Sequence, residues 1–163
     1  MPFEILLFLQ PKDYNMILSD YKDFPRNGRI LGLDWGTRRC GVAISDEKRD
    51  FVFVRPQLYV KSENELIQNI LAIISADTIS GIVLGLPLYS DGADSETTQM
   101  VRNFAKTLSM QTNLPIIFVE ENLTSMAAQA EIGRKSITKI KQELDSVSAK
   151  IILENAIALL KRI

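Results

Sequence analysis

The chain has 163 residues, of which 46% are hydrophobic and 24% are charged, a balance that predicts one domain with an ordinary buried core. It has no histidine and only one cysteine, which excludes an internal disulfide, the usual histidine-dependent catalytic triads and the commonest zinc ligand. Because the formal net charge is −1, any nucleic-acid binding must depend on a local basic patch. The apolar runs are too short to cross a bilayer, so we expect a cytoplasmic protein with no membrane partner.

The first 28 residues differ in pattern from the rest of the chain. They mix proline, charged residues and tyrosine without a sustained period, so we interpret 1–28 as an N-terminal extension and 29–163 as the main domain. The apolar run Phe3–Leu9 could add an extra strand or a helical turn to that domain.

The next segments predict an antiparallel meander of three strands. Apolar runs at Ile30–Leu33 and Val42–Ile44 flank a short turn containing Gly36, and a third strand is expected at Phe51–Val60. Cys40 lies among apolar residues of the hairpin and is interpreted as a small core side chain.

Helices and strands then alternate. A capping serine or threonine, or a proline, precedes several of the apolar-periodic segments. The predicted order is a helix from Ser62, a strand at Gly81–Leu86, a helix at Ser95–Met110, a strand at Ile116–Glu120, a helix at Met126–Ile132, a basic mobile loop at 133–143 and a last helix at Asp145–Leu160. The pattern indicates an α/β fold with a mixed five-stranded sheet, three strands in the meander and two parallel, flanked by helices.

Acidic residues lie where several of these elements begin or end. Asp34 ends the first strand, Glu120 and Glu121 end the last, and Asp145 opens the last helix. Each has an ordinary explanation alone: Asp34 could cap the following turn, the glutamates could be polar strand ends, and Asp145 could be a helix cap. Together, carboxylates that converge on one edge require a cation, and two Mg²⁺ ions about 3.5–4 Å apart can clamp a scissile phosphate.

Strand geometry limits this set. Adjacent strand residues point to opposite faces, so Glu120 and Glu121 cannot both serve one site, and periodicity does not choose between them.

Basic and hydroxyl side chains near these carboxylates could hold phosphate, although a solvated loop explains them as well. Arg38 and Arg39 follow Thr37 in the first turn, and the loop of residues 87–96 carries Gly92 and several hydroxyls. A second basic group lies in the 133–143 segment: Arg134, Lys135, Lys139 and Lys141.

Four motifs in order resemble the YqgF/RuvX family, relatives of the RuvC Holliday-junction resolvases. They are GLDWGTRRCGVAISD (Gly32–Asp46), GLPLYSDGADSE (Gly85–Glu96), VEENLTSMAA (Val119–Ala128) and LDSVSAKIIL (Leu144–Leu153). The resemblance covers about Ile30 to Ile163. It implies an RNase H-like fold and a nuclease of the two-metal-ion type that uses Mg²⁺ or Mn²⁺. The family is associated with trimming the 5′ end of precursor 16S rRNA in the bacterial cytoplasm, and branched-DNA resolution has also been proposed for it.

Carried over by motif position, the resemblance implies that Asp34, Glu121 and Asp145 are the catalytic and metal-binding triad. It thus selects Glu121 over Glu120. The expected substrate-binding residues are Thr37, Arg38, Arg39, Thr124, Arg134, Lys135 and Lys139. The chain departs from the family at Glu120, where aspartate is usual, and at Asn122, where arginine is usual; the second change removes a phosphate contact or a carboxylate partner.

Two other functions remain open at this point. The chain could be a non-catalytic nucleic-acid-binding factor in transcription or ribosome assembly, which the missing arginine at 122 would allow. The turn after Asp34 also resembles the ATP-phosphate turns of the actin and sugar-kinase fold, but that fold needs two domains. The leading hypothesis is an endonuclease acting on structured RNA, with branched DNA as the alternative substrate, and either a monomer or a homodimer.

Overall fold

The computed structural model describes residues 16–121 and 137–163, with the side chains of the last helix described from Val147 onward. The predicted helix at Met126–Ile132, and with it Thr124, Arg134 and Lys135, lies outside the described residues, as does the run Phe3–Leu9.

The described residues form one mixed sheet of six strands. The strands are β1 (Ile17–Leu18), β2 (Arg29–Trp35), β3 (Arg39–Ser45), β4 (Val52–Tyr59), β5 (Ile79–Leu86) and β6 (Ile116–Glu120), in the spatial order β1-β6-β5-β2-β3-β4. The meander β2-β3-β4 is antiparallel, whereas β2, β5, β6 and β1 pair in parallel. This confirms the predicted mixed α/β fold and places β2 inside the sheet. The predicted strand number of five was wrong, because β1 has only two residues and is too short to show a period.

Three α-helices flank the sheet in the part of the chain that is described: α1 (Glu63–Asp77), α2 (Glu96–Gln111) and α3 (Ile137–Leu160). Ser62 and Ser95 cap the first two, each accepting a hydrogen bond from the backbone N–H three residues on. The prediction of a loop over 133–143 was wrong from Ile137 onward. Its lysine, glutamine and glutamate residues favour a helix, although they lack a continuous apolar stripe.

The core has two layers, one on each face of the sheet. On one face, apolar residues of α1 and α2 pack against β2, β3, β5 and β6; Cys40 is fully buried here, as predicted. On the other face, α3 packs through Ala149, Ile152 and Leu153, and Phe24 joins this layer. Gly32 of β2 permits this close approach, because a Cβ at Gly32 would lie 2.8 Å from the Cβ of Leu153.

Residues 16–28 are joined to the sheet. Ile17 and Leu18 pair with Ile116 and Ile117 of β6, and the Tyr21 hydroxyl donates a hydrogen bond to the Phe118 carbonyl at 2.8 Å. Phe24 is only 2% exposed and packs in the α3 layer. No helix among the described residues has the length and hydropathy needed to cross a membrane.

Candidate active site

The carboxyl ends of β2, β5 and β6 meet at one edge of the sheet. Leu33 of β2 pairs with Leu84 of β5, and Gly85 of β5 pairs with Val119 of β6. Because the strands are parallel, Asp34 and Glu121 follow these pairs at the same edge. Alternation along each strand puts both on the α3 face, the face occupied by Gly32 and Val119. The two carboxylates thus lie on either side of Gly85.

Glu121 packs directly on Gly85. Its backbone N–H donates to the Leu86 carbonyl at 3.2 Å, which continues the β5–β6 ladder one residue beyond the strand. A Cβ on Gly85 would stand 3.1 Å from both Cδ and Oε2 of Glu121, and 2.5 Å from Cδ1 of Ile152. The missing side chain at position 85 therefore gives the carboxylate room between the sheet and α3.

The Glu121 carboxylate is short of partners. Its Oε2 is buried and accepts no hydrogen bond from the described residues. Burial raises the pKa of Glu121 from its ordinary 4.5 to about 7, because a carboxylate loses solvation more than a neutral carboxyl does. A cation at Oε2 would satisfy the oxygen and favour the ionised form.

Glu120, its neighbour, has a different environment. It is exposed and lines an open cavity with Ser19 and Tyr21. The pKa of Tyr21 is raised, chiefly by burial and further by the charge of Glu120. Only Glu121, the residue that the family resemblance selected, packs on Gly85.

Asp145 belongs to α3, and the prediction that it opens this helix was wrong, since the helix begins eight residues earlier. Its side chain lies outside the described residues, but its place in the helix is defined. Ala149 contacts Gly32, while Lys161 pairs with Asp50 near the opposite edge, so α3 runs antiparallel to β2. Asp145 precedes Ala149 by four helical residues, which span about 6 Å, and Asp34 follows Gly32 by two strand residues, which span about 7 Å. Because α3 is antiparallel to β2, both displacements run toward the same edge of the sheet, so Asp145 and Asp34 lie at similar heights along it.

The predicted phosphate-binding residues of the first turn lie at the same edge as Asp34. Thr37 and Arg38 are exposed, and Arg39 is half-buried at the start of β3. A hydrogen bond joins this turn to the end of β4, since the Arg38 carbonyl accepts from the Val60 N–H at 2.9 Å. Lys139 is the third residue of α3, and its side chain lies outside the described set, as Thr124, Arg134 and Lys135 do entirely.

Two residues of this region escaped sequence reasoning. Gly85 was seen only as part of a motif, because its contact with Glu121 depends on strand register, which no single segment reveals. Tyr59 of β4 pairs with Arg39 of β3, and this pair lies on the α3 face, the face of Asp34. Its ring is 54% exposed. An exposed tyrosine opposite an arginine is the signal that could have found it.

The residues present suit a hard divalent cation. Asp34 is half-buried and already interacts with another group of the protein. Glu121 offers a buried oxygen that has no hydrogen-bond partner among the described residues. Carboxylate oxygens are the ligands that Mg²⁺ and Mn²⁺ prefer. Within 16–121 and 147–163, no three acidic or thiol side chains cluster tightly enough to hold a metal. A third ligand must therefore come from elsewhere in the chain or from substrate and water.

Comparison with known proteins decides the family. A sequence profile of the RuvX family, described as a Holliday junction resolvase, matches residues 28–159. The chain belongs to the RuvX family. This confirms the resemblance predicted from the four motifs.

Relatives agree with this assignment. A protein of Maridesulfovibrio salexigens named "Putative pre-16S rRNA nuclease" is 41% identical over 132 residues, covering 80% of this chain and 98% of the relative. A protein of Rickettsia canadensis with the same name is 31% identical over 154 residues, covering 90% of this chain and 99% of the relative. The chain therefore aligns with nearly the full length of these RuvX-family relatives.

Solved structures agree on the fold. Thermus thermophilus RuvC in complex with a Holliday junction superposes with a TM-score of 0.52 at 10% identity, covering 83% of this chain and 96% of that one. The yeast mitochondrial Holliday junction resolvase gives 0.50 at 13% identity, covering 87% and 84%. At such identities the likeness shows the fold alone, and it confirms the RNase H-like architecture predicted for this RuvX-family chain.

Proposed function

We propose that this RuvX-family nuclease cleaves phosphodiester bonds in structured RNA and processes the 5′ end of precursor 16S rRNA in the cytoplasm. Asp34, Glu121 and Asp145 are its metal ligands, and Mg²⁺ or Mn²⁺ is its cofactor. The names of the relatives supply the substrate. The observation that carries the metal assignment is the buried Oε2 of Glu121, which lacks a partner among described residues at the edge that also holds Asp34.

The cation accounts for an arrangement that otherwise costs stability. A buried carboxylate oxygen without a donor is unfavourable by about 1–3 kcal/mol, so a fold retains it only for a purpose or with a ligand. The glycine at position 85 makes the space for this carboxylate, and replacing that glycine would crowd it. When bound, the divalent cation supplies Lewis-acid polarisation of the scissile phosphate and activation of water.

The protein's own side chains position the metal ligands and the substrate. Asp34 and Glu121 come from the ends of two rigid interior strands, which holds their spacing nearly constant. Thr37 and Arg38 project into solvent beside Asp34 and can donate to phosphate oxygens of the substrate backbone. The exposed ring of Tyr59, opposite Arg39, offers a surface on which an unpaired base can stack.

The test is a cleavage assay in Mn²⁺ and in Mg²⁺ on three substrates: a precursor 16S rRNA leader, a four-way DNA junction and a plain duplex. Wild type should cleave the RNA leader, and Asp34→Asn should be inactive while keeping its circular dichroism spectrum. Undiminished metal-dependent cleavage by Asp34→Asn would reject the metal assignment.

Resolution of branched DNA is the second candidate, because the matched family carries the description of a Holliday junction resolvase. Preferential, symmetric cleavage of the four-way junction would select it over RNA processing. Such cleavage needs two active sites on one junction, so the protein would also have to be a dimer in solution. Binding of both substrates without cleavage in either metal would instead indicate a non-catalytic nucleic-acid-binding factor.

A further inference from the structure

A cationic cavity lies at the other edge of the sheet, away from Asp34. It has a volume of about 190 Å³. Its lining includes five positively charged side chains, Lys22, Arg26, Lys48, Arg49 and Lys161, no aspartate or glutamate from the described residues, and one residue with a main-chain carboxylate, Ile163. In a chain with a net charge of −1, this is a local concentration of positive charge.

Arg49 is the buried member of this group. It is 7% exposed. Its Nε–H donates to the Gly28 carbonyl at 2.9 Å, and its Nη2 donates to the Asn27 carbonyl at 3.1 Å. A guanidinium has five N–H donors, so most of its hydrogen-bonding capacity is left unused by the described residues.

Burial of Arg49 is not compensated by a carboxylate among those residues. Loss of solvation lowers the pKa of Arg49 below its ordinary value, and the face of the Phe24 ring, whose centroid lies 5.8 Å from the guanidinium carbon, offers partial compensation. Buried charges are normally paired or bind an ion of the opposite sign. This charge lacks that pairing in the part of the chain described.

The backbone at Arg49 adds an independent observation. Its φ is +61°, in the left-handed region, where glycine or asparagine is favoured and other residues cost roughly 1 kcal/mol or more. A glycine would close this turn with less strain. The side chain carried on this strained backbone is the guanidinium that donates to the Asn27 and Gly28 carbonyls and lines the cavity.

The rim is available to a ligand. Lys22, Arg26 and Lys48 are exposed and form no ion pair with a described residue, whereas Lys161 pairs at 3.8 Å with Asp50. The floor is apolar, formed by Phe24 and Ile157. A small anion in this cavity would thus meet three unpaired cations above a buried guanidinium.

We propose that this cavity, which we call the Arg49 pocket, binds a phosphate group. Guanidinium and ammonium groups converging on one space recognise a tetrahedral oxyanion by charge-assisted hydrogen bonds. The phosphate could belong to the backbone of the nucleic-acid substrate or to a small phosphate compound. Only the first of these sources depends on the proposed nuclease function.

As a backbone contact, the Arg49 pocket would extend the substrate footprint. It lies at the start of β2, and the five steps from one residue to the next between Arg29 and Asp34 span about 17 Å of extended strand. A substrate reaching both places must be several nucleotides long. The pocket would then contribute affinity for longer RNA without contacting the reacting phosphate.

The first experiment observes Arg49 directly in the metal-free full chain. The NMR signal of the Arg49 Nε–H should shift in a saturable way when inorganic phosphate is added, and not when chloride is added at the same ionic strength. Arg49→Gly, which fits the left-handed turn, should retain the fold and abolish saturable phosphate binding. An Arg49 signal unmoved by phosphate would overturn the proposal.

The second experiment asks whether RNA supplies the phosphate. Single-stranded RNA binding is measured by fluorescence anisotropy in EDTA for Lys22→Ala/Lys48→Ala and for the charge-matched control Lys106→Ala/Lys150→Ala. Loss of two phosphate contacts should reduce the slope of log Kobs against log salt by about 1.4 in the pocket variant alone. Equal changes of this slope in the two variants would reject a contact with the RNA backbone. If the Arg49 signal nevertheless shifts with phosphate, the pocket is assigned to a small phosphate compound.

Because these readouts need neither metal nor cleavage, they are separate from the test of nuclease activity. An inactive protein with a phosphate-responsive Arg49 would retain this proposal and lose the proposed function. An active nuclease whose Arg49 signal does not respond to phosphate would retain the proposed function and lose this proposal.

Discussion

The Glu121 carboxylate lies against the α-carbon of Gly85, where a Cβ would stand 3.1 Å from its Oε2. The contact joins β5 to the residue after β6 and leaves Oε2 buried without a donor among the described residues. Together with the position of Asp34 beside it, this contact determines how substitutions at the site should change cleavage, stability and metal binding.

The adjacent glutamates offer a matched pair of variants. Glu121→Gln should lower the cleavage rate in Mn²⁺ by at least about 100-fold. Losing a residue that only hydrogen-bonds to a metal ligand costs up to about 100-fold, and losing the ligand itself should cost at least as much. Glu120→Gln should stay within a few-fold of wild type, because Glu120 is exposed and does not pack on Gly85. Rates under single-turnover conditions make the comparison. A larger loss in Glu120→Gln would show that the wrong glutamate has been assigned.

The raised pKa of Glu121 predicts an unusual pH dependence of stability without metal. Folding raises this pKa from 4.5 to about 7, so the folded state binds the proton more tightly than the unfolded state. The free energy of unfolding therefore falls as pH rises from 4.5 to 7 and remains lower above 7. Glu121→Gln removes this loss and should be more stable than wild type at pH 8 by roughly 1–3 kcal/mol, allowing for partial exposure.

Urea unfolding in EDTA at pH 8 and at pH 4 measures this difference. The advantage of Glu121→Gln should be present at pH 8 and absent at pH 4, where the wild-type carboxyl is protonated in both states. Glu120→Gln, which changes an exposed residue that does not pack on Gly85, serves as the control. Equal stability of Glu121→Gln and wild type at pH 8 would mean that Oε2 is not destabilising.

Divalent metal should stabilise the wild-type fold. A ligand bound only by the folded state contributes about 2.7 kcal/mol at 100 times its dissociation constant, so the melting temperature should rise with added Mn²⁺. Asp34→Asn and Glu121→Gln should lose most of this rise, and Glu120→Gln should keep it. Differential scanning fluorimetry with Mn²⁺, and with K⁺ at matched ionic strength, gives the measurement. A full rise in Asp34→Asn would place the cation elsewhere.

Gly85→Ala should impair both stability and activity, because the new Cβ would stand 2.5 Å from Cδ1 of Ile152 as well as against Glu121. Overpacking of this kind costs typically about 1–3 kcal/mol. The double variant Gly85→Ala/Ile152→Val removes Cδ1 and should regain part of the stability. Its activity should stay low, since the contact with Glu121 remains. Full recovery of cleavage in the double variant would show that Gly85 matters only for packing.

Phe24 should behave as a core residue although it precedes the segment that matches the RuvX family. It is 2% exposed, and a Cβ on Gly81 would come 2.4 Å from its Cζ. Phe24→Ala should destabilise the protein by about 3–5 kcal/mol. Phe51→Ala, at a position 66% exposed, should cost less than about 1 kcal/mol. Chemical denaturation measures the free energy of unfolding of both variants. Equal losses of stability would show that residues 16–28 do not contribute to the folded core.

Sequence patterns predicted the elements whose signals are local. Ser62 and Ser95 mark helix starts by their caps, and the strand Ile116–Glu120 matches its predicted bounds. The missed features depend on information outside any one segment. β1 is held by pairing with β6, and the start of α3 at Ile137 depends on helix-forming residues without an apolar stripe. The family motifs predicted Asp34 and Glu121 as ligands, whereas Gly85 between them is visible only in the strand register.

The pairing of Ile17 and Leu18 with β6 has a consequence for assembly. Without these two residues, β6 would be the outermost strand, and its unpaired amides and carbonyls could template a strand from another molecule. The Met16 carbonyl, which accepts from the Ile116 N–H at 2.8 Å, begins this cover. Among the described residues, this leading segment pairs the first two residues of β6 and leaves a strand of only two residues at that edge of the sheet, a length that offers little template for intermolecular β-addition.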